Sequence, residues 1–412
     1  MKTCTLGCSL LFLVVVGCGL GPAFGAEPLP NLVIPDGLGV NIHFTGQPRD
    51  LDLIRQAGLR FIRMDLAWGG VERQKGVYGF DRAGYDDLTK GCVDRGIRIL
   101  YILDYSNRLY EEDRSVRTPE GRAAFVAFAE AAANRYRGHG ILWEIWNEPN
   151  IQQFWRPQPS VEDYCALVRQ AAPQIRAADP SGLVVAPATS GIPMDWLEAC
   201  FKEGLLEWID VVSMHPYRPQ APETVIADYE RLRRLIKQYA PDKKVPIISG
   251  EWGYSNVNWD KRPLTDEQQA RYLARMYLTN LSQRVAVNIW YDWKNDGTDP
   301  QEREHNFGTV EHDLRPKTAY EAAKVLTETL GGFSFDKRLD LANPADFALQ
   351  FVKGDRQAIA VWTTGEAHEV TLPVQAGRAV VVDMLGGRRE TSWTQCLRIE
   401  ARPNPQYLLV GE

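Results

Sequence analysis

An eight-unit parallel β/α barrel followed by a small antiparallel β-domain is the fold class this sequence predicts, on three observations. Short β-rich runs alternate with amphipathic stretches from residue 38 to about residue 330, the rhythm of successive βα units. Eight such runs occur over a length that suits a barrel with loop insertions. After Gly332 the pattern changes to short alternating segments punctuated by Gly and Pro, which reads as antiparallel strands.

The elements follow in order. Residues 1–26 are expected to be a signal peptide. Lys2 precedes an apolar run from Leu10 to Val16, too short to span a bilayer. Val15-Val16-Gly17-Cys18 has the form of a lipobox, in which Cys18 would be acylated; cleavage near Ala23 to Ala26 is the alternative. Either way the protein is expected to be exported, as a secreted or periplasmic protein or as a membrane-anchored lipoprotein held through Cys18. The barrel is assigned to 27–332, with strands predicted at 38–44, 59–64, 97–104, 141–147, 183–188, 209–215, 245–251 and 286–293. Helical spacing links Phe125, Phe128, Ala132 and Tyr136. One helix opens at Ser160 with Asp163 as its capping-box partner, and another starts after Pro316 and stops at Gly331-Gly332. The β-domain is assigned to 333–412, with strands at 358–363, 368–372 and 379–383. No Pro- or Ser-rich spacer separates the two parts, so the β-domain is expected to pack on the barrel.

Composition narrows the function. Of 412 residues, 44% are hydrophobic and 24% charged, the balance of an ordinary globular protein. A net charge of −6, spread along the chain, argues against a nucleic-acid partner. A monomer is expected. Cys92, Cys165, Cys200 and Cys396 are widely spaced without CxxC, so metal clustering is not expected; Cys165 and Cys200 could pair or remain buried thiols. His305 and His312 share a loop but lack HExxH spacing. There is no GxSxG elbow, and the only GxGxG run lies at 17–21. No metal and no cofactor are expected.

Active sites of such barrels sit at the C-terminal ends of the strands. Here those ends carry His43, then Arg63 and Asp65, Asp104-Tyr105, Asn147-Glu148, His215-Pro216-Tyr217, Glu251-Trp252, and Trp290 with Trp293. Polar and aromatic groups on one rim, with two glutamates among them, suit glycosidic cleavage. That reaction needs one carboxyl group protonated and the other ionised at the same pH. Trp143, Trp146 and Trp155 would give Glu148 an apolar setting, and Arg63 and Tyr217 would favour the anion of Glu251. Glu144 shares parity with Glu148 and is read as a structural ion-pair partner.

The segment Trp143-Glu144-Ile145-Trp146-Asn147-Glu148-Pro149-Asn150 resembles the strand-four acid/base motif of glycoside hydrolase clan A, and Ile248-Ser249-Gly250-Glu251-Trp252-Gly253 resembles its strand-seven nucleophile motif. The barrel with a following β-domain is most like glycoside hydrolase family 39, including its bacterial exopolysaccharide endoglycosidases. Family 5 shares the pattern of Arg63, His215, Tyr217 and Trp290. The resemblance implies a retaining hydrolase of β-linked polysaccharide or oligosaccharide, with Glu148 as acid/base and Glu251 as nucleophile. It further implies that Asn147 bonds the sugar 2-hydroxyl, that Tyr217 donates to the nucleophile and that Arg63 holds it ionised. Trp290 would floor the subsite, and His43, His215 and Trp252 would line it. Two departures stand out: Asp104-Tyr105 replaces a strand-three His, and 296–312 is long and charged. A non-catalytic sugar-binding barrel and a transglycosylase with the same carboxylates are the alternatives; the sugar and the mode of cleavage stay open.

Overall fold

The computed structural model describes residues 26–45, 47–257 and 263–411. The leader and Cys18 lie outside the described residues. Eight parallel strands close into a barrel: β1 (Leu38–Asn41), β2 (Phe61–Ala67), β3 (Arg98–Asp104), β4 (Leu142–Ile145), β5 (Leu183–Ser190), β6 (Val211–His215), β7 (Ile247–Trp252) and β8 (Asn288–Trp290). Each pairs with its chain neighbours, and β1 with β8 completes the ring.

Among the described residues, eight helices of two turns or more cover the ring: α1 (Pro48–Gln56), α2 (Tyr85–Asp94), α3 (Pro119–Arg135), α4 (Val161–Ala178), α5 (Met194–Lys202), α6 (Ile226–Tyr239), α7 (Asp266–Ser282) and α8 (Thr318–Thr329). Their starts follow from local chemistry. The Thr118 hydroxyl accepts from the Gly121 N–H and Thr265 forms a full capping box with Gln268, satisfying backbone donors that have no partner inside the helix. Ser160 accepts from the Asp163 N–H as expected, but the Asp163 carboxylate turns to Arg117 and Arg122 at 3.7 and 3.5 Å instead of back to the cap.

The lumen is layered. Its lower part is hydrocarbon: Phe61, Leu100, Leu142, Val185, Val211, Ile248 and Ile289 form one buried cluster. Two residues further along β2 and β4 stand Arg63 and Glu144, also buried. A two-residue step keeps the same face of a strand, so both levels point inward.

The C-terminal residues form a six-stranded antiparallel sheet from β9 (Ser334–Arg338), β10 (Asp346–Lys353), β11 (Arg356–Thr363), β13 (Gly377–Asp383), β14 (Arg388–Trp393) and β16 (Gln406–Val410). β12 (His368–Leu372) pairs with β15 (Leu397–Ala401) in a separate two-stranded sheet. Phe347, Phe351, Trp362 and Tyr407 belong to the same buried core cluster as the barrel helices. Glu223, in the segment after β6, clamps the two parts. It takes a bidentate ion pair from Arg275 of α7, at 2.7 Å to each oxygen, and the Trp362 indole N–H of β11 at 2.7 Å. Cys92, Cys165 and Cys200 are buried free thiols and Cys396 is an exposed one, so no Cys165–Cys200 disulfide forms.

Candidate active site

The site starts where β4 ends. Trp146 and Glu148 both hold positive φ, 69° and 47°, a region that costs residues with a Cβ about 1–3 kcal/mol. The surroundings over-determine it. The Trp146 N–H donates to Leu103 O at 3.1 Å and the Glu148 N–H to Ala188 O at 2.9 Å. Asn150 exchanges two bonds with the Ser190 backbone. The strand therefore stops at Ile145, two residues short of the predicted end, and the turn lifts Asn147 and Glu148 to the rim.

Arg63 is the hub. Its guanidinium, 1% exposed, donates to Glu144 Oε2 (2.8 Å), Asn41 Oδ1 (3.1 Å), Glu251 Oε2 (2.5 Å) and Asn147 Oδ1 (2.7 Å), and Nη2 lies 3.2 Å from His215 Nε2. Burial pulls its pKa down, but Glu144 and Glu251 outweigh that and hold it firmly cationic. Glu144 is thus the structural ion-pair partner.

Arginine has no acceptor, so Nε2 of His215 must carry the lone pair and Nδ1 the proton. That proton is donated to Glu148 Oε1 at 2.8 Å. Burial depresses the imidazole pKa to about 4, so the ring is neutral. His215 therefore sits between Arg63 and Glu148 instead of lining an open subsite; it is fully buried.

The two glutamates meet different environments. Burial pushes the Glu148 carboxyl up to about 7, against the pull of Arg63 and a bond from Ser190. Glu251 accepts from Arg63 on one oxygen and from the Tyr217 hydroxyl, at 2.8 Å, on the other. A carboxylate oxygen of each and a ring nitrogen of His215 all lie within 4.8 Å of one another. Such a trio could hold a cation by spacing alone, but Arg63 and Tyr217 already engage both oxygens of Glu251.

Asn147 gives one amide hydrogen to the Tyr105 hydroxyl at 2.9 Å, leaving its second for a ligand. Tyr105 was legible only as a departure at the end of strand three; here it stacks on Phe154, with Arg114 over its ring at 4.6 Å. Beside it Asp104 is fully buried, and burial followed by Asp65 holds its carboxyl well above the usual range. Tyr291 is a further rim residue that the motifs did not reveal. It packs edge-on against His43 and Tyr217, with centroids at 5.5 and 6.3 Å. His43 remains on the rim, its side chain 38% exposed.

The tryptophans depart from expectation. Ile289 points into the lumen, so Trp290 points the other way. It is fully buried, donates to Phe307 O at 3.2 Å and packs against Tyr254. Trp252, its register partner, is likewise buried against Tyr254. Neither floors nor lines the cleft: both belong to the helix layer. Trp143 and Trp146 pack there too, bonded to Asp179 and Phe154 O, so Glu148 owes its high pKa to burial at the strand end.

A model of the cellulase family, glycosyl hydrolase family 5, matches residues 38–297, well over half of the chain. The chain belongs to glycosyl hydrolase family 5. Its clan A character, anticipated from the two glutamate motifs, is shared by its structural relatives. A family 39 glycoside hydrolase from the gut symbiont Bacteroides cellulosilyticus WH2 is 25% identical, with a TM-score of 0.79 over 92% of this chain and 81% of that one. A family 39 β-xylosidase from Caulobacter crescentus has the same fold at 17% identity, with a TM-score of 0.67 over 94% of this chain and 99% of that one. A β-xylosidase from Geobacillus stearothermophilus is 28% identical over 159 residues, 33% of this chain and 30% of that protein. This family 5 chain thus shares its barrel-plus-β-domain layout with those family 39 structures.

Proposed function

We propose that this protein is a retaining β-glycosidase that works by double displacement on a polysaccharide or oligosaccharide. The observation that carries this reading is the separation of Glu148 and Glu251, with oxygens within 4.8 Å. Retaining enzymes hold their carboxyl groups about 5–5.5 Å apart, whereas inverting ones leave room for a water between them.

In the first step an oxygen of Glu251 attacks the anomeric carbon and the bond to the leaving oxygen breaks. Glu148 gives that oxygen its proton, leaving a glycosyl ester on Glu251 and a carboxylate at Glu148. In the second step water attacks the same carbon, Glu148 takes its proton, and the ester bond to Glu251 breaks. Arg63 and the Tyr217 hydroxyl stabilise the carboxylate that leaves, as preorganised donors do at developing charge. The free amide hydrogen of Asn147 is placed to bond the sugar 2-hydroxyl. His215 supplies no proton to the reaction; it orients Glu148 through Nδ1.

Two relatives are named β-xylosidases, so an aryl β-xyloside is the first substrate to try, followed by a panel of plant and bacterial polysaccharides. Proton NMR of the first anomer released tests the mechanism: retained configuration supports it, and an inverted first product sinks it. Export as a secreted or periplasmic protein is part of the proposal, with anchoring through Cys18 as the alternative. On that alternative a Cys18→Ala variant should move from the membrane to the soluble fraction of a bacterial host, whereas a soluble wild type excludes the anchor.

A further inference from the structure

A second group of ligand-type side chains lies where β1 and β8 end, beside the cleft. A ring nitrogen of His43, a carboxylate oxygen of Asp292 and one of Asp296 all fall within 4.8 Å of one another. With His312 they line a cavity of about 190 Å³. His43 follows β1, Asp292 follows β8, and Asp296 and His312 bracket the long charged loop at 296–312.

Proximity of acids is not a site, and the decisive observation is Asp292. Its side chain is 1% exposed, and Oδ1 has no hydrogen-bond partner among the described residues. Oδ2 stands 3.7 Å from His43 Nε2, too far for a hydrogen bond. The nearby cations are engaged elsewhere: the Lys317 ammonium donates to Asn256 Oδ1 at 2.8 Å, and that of Lys294 leans on Asp50 at 3.7 Å. A polar oxygen buried without a partner is costly, and such an orphan in a native fold calls for a water or an ion.

Asn41, with its Oδ1 fixed by Arg63, can only donate through its amide nitrogen, 3.3 Å from His43 Nε2, and a cation on that nitrogen would displace this long contact. His312 is held as a ligand is held. His312 Nδ1 lies 3.0 Å from Asn295 O. A carbonyl can only accept, so Nδ1 carries the proton and the neutral ring keeps its Nε2 lone pair free, the arrangement that second-shell carbonyls impose on metal-binding histidines.

We propose that His43, Asp292 and Asp296 bind one divalent cation, with His312 as the fourth ligand. Mixed imidazole and carboxylate donors favour Zn²⁺ over Mn²⁺, and both over Ca²⁺. The ion would staple the loop after β8 to the end of β1. Tyr291, which touches both His43 and Tyr217, would then be fixed as one wall of the cleft.

Titration calorimetry of the untagged, EDTA-stripped full chain with ZnCl₂, MnCl₂ and CaCl₂ tests this. One saturable equivalent of Zn²⁺ should bind more tightly than Mn²⁺ and Ca²⁺, and Zn²⁺ should raise the melting temperature. Asp296→Asn, at an exposed position, should fold normally and weaken Zn²⁺ binding at least tenfold, and Asp292→Asn should do the same. No saturable Zn²⁺ binding to the wild type overturns the proposal. So does Zn²⁺ binding of unchanged affinity in Asp296→Asn, which would move the ion to Glu148, His215 and Glu251.

Discussion

The lower and upper levels of the barrel lumen are built from the same strands, two residues apart, and they have opposite chemistry. At Phe61, Leu100 and Leu142 the lumen is a dry hydrocarbon plug. At Arg63 and Glu144 it holds a buried ion pair with further polar partners. Burying hydrocarbon stabilises a fold by about 25 cal/mol per Å², whereas a buried ion pair roughly cancels its own desolvation. The lower level makes the barrel; the upper level is tolerated because the lower one is there. In and above the charged level, Glu144 Oε1, Ser213 Oγ and both Asp104 oxygens lack partners among the described residues.

Activity should depend on the upper level and stability on the lower one. Glu251→Ala should abolish essentially all turnover while the protein stays folded, since Arg63 keeps Glu144 as its counter-charge. External azide should restore activity with inverted product. Loss of folding in that variant would show the upper level to be structural. Glu148→Ala should cost about 10²–10⁴-fold on natural glycosides, the range of general acid–base help, and much less in the first step on an aryl glycoside with a good leaving group. An equal loss on both substrates would remove Glu148 from the acid role.

Phe61→Ala is the counterpart from below. It should lower stability by about 3–5 kcal/mol, as large-to-small core changes do, with kcat of the folded fraction nearly unchanged; denaturant melts and active-site titration would read both. A kcat loss as deep as that of Glu148→Ala would mean that the plug positions the charges above it. The smallest effect is a pH limb. With its carboxyl at about 7, Glu148 must be protonated to act, so kcat/KM should fall tenfold per unit above that pH. Folding raises this pKa from about 4.5, so between 4.5 and 7 the unfolded chain binds fewer protons at this site. Its contribution to stability should therefore decline as pH rises through that window, and Glu148→Gln should flatten the decline.

Much of this was legible in the sequence, and the limits have physical causes. The strands could be placed because each βα unit repeats the change from short apolar run to helical spacing. Glu148 and Glu251 could be named because their neighbours in the chain form motifs. Trp252 and Trp290 were misdirected because parallel barrel strands are buried on both faces, so apolar character does not say which side faces in. A register irregularity between Asn288 and Trp290 further hides the parity. The Arg63 hub was seen in part. Its tie to Glu251 was anticipated, and Glu144 was expected to form an ion pair with a partner left unnamed, but one side chain serving both, with Asn41, Asn147 and His215, is a property of barrel closure. Tyr291 and Asp292 belong to no motif and became visible only through their contacts.

The Glu223 clamp bears on how such chains can be recombined. Arg275 of the barrel helices and Trp362 of the C-terminal sheet reach the same carboxylate, one before and one after the glycine pair at 331–332. A β-domain exchanged with that of a relative would leave Arg275 and Glu223 facing a foreign surface, and the departing sheet would carry its indole donor away unpaired. A viable chimera must therefore graft Glu223 and Arg275 along with the sheet that reads them.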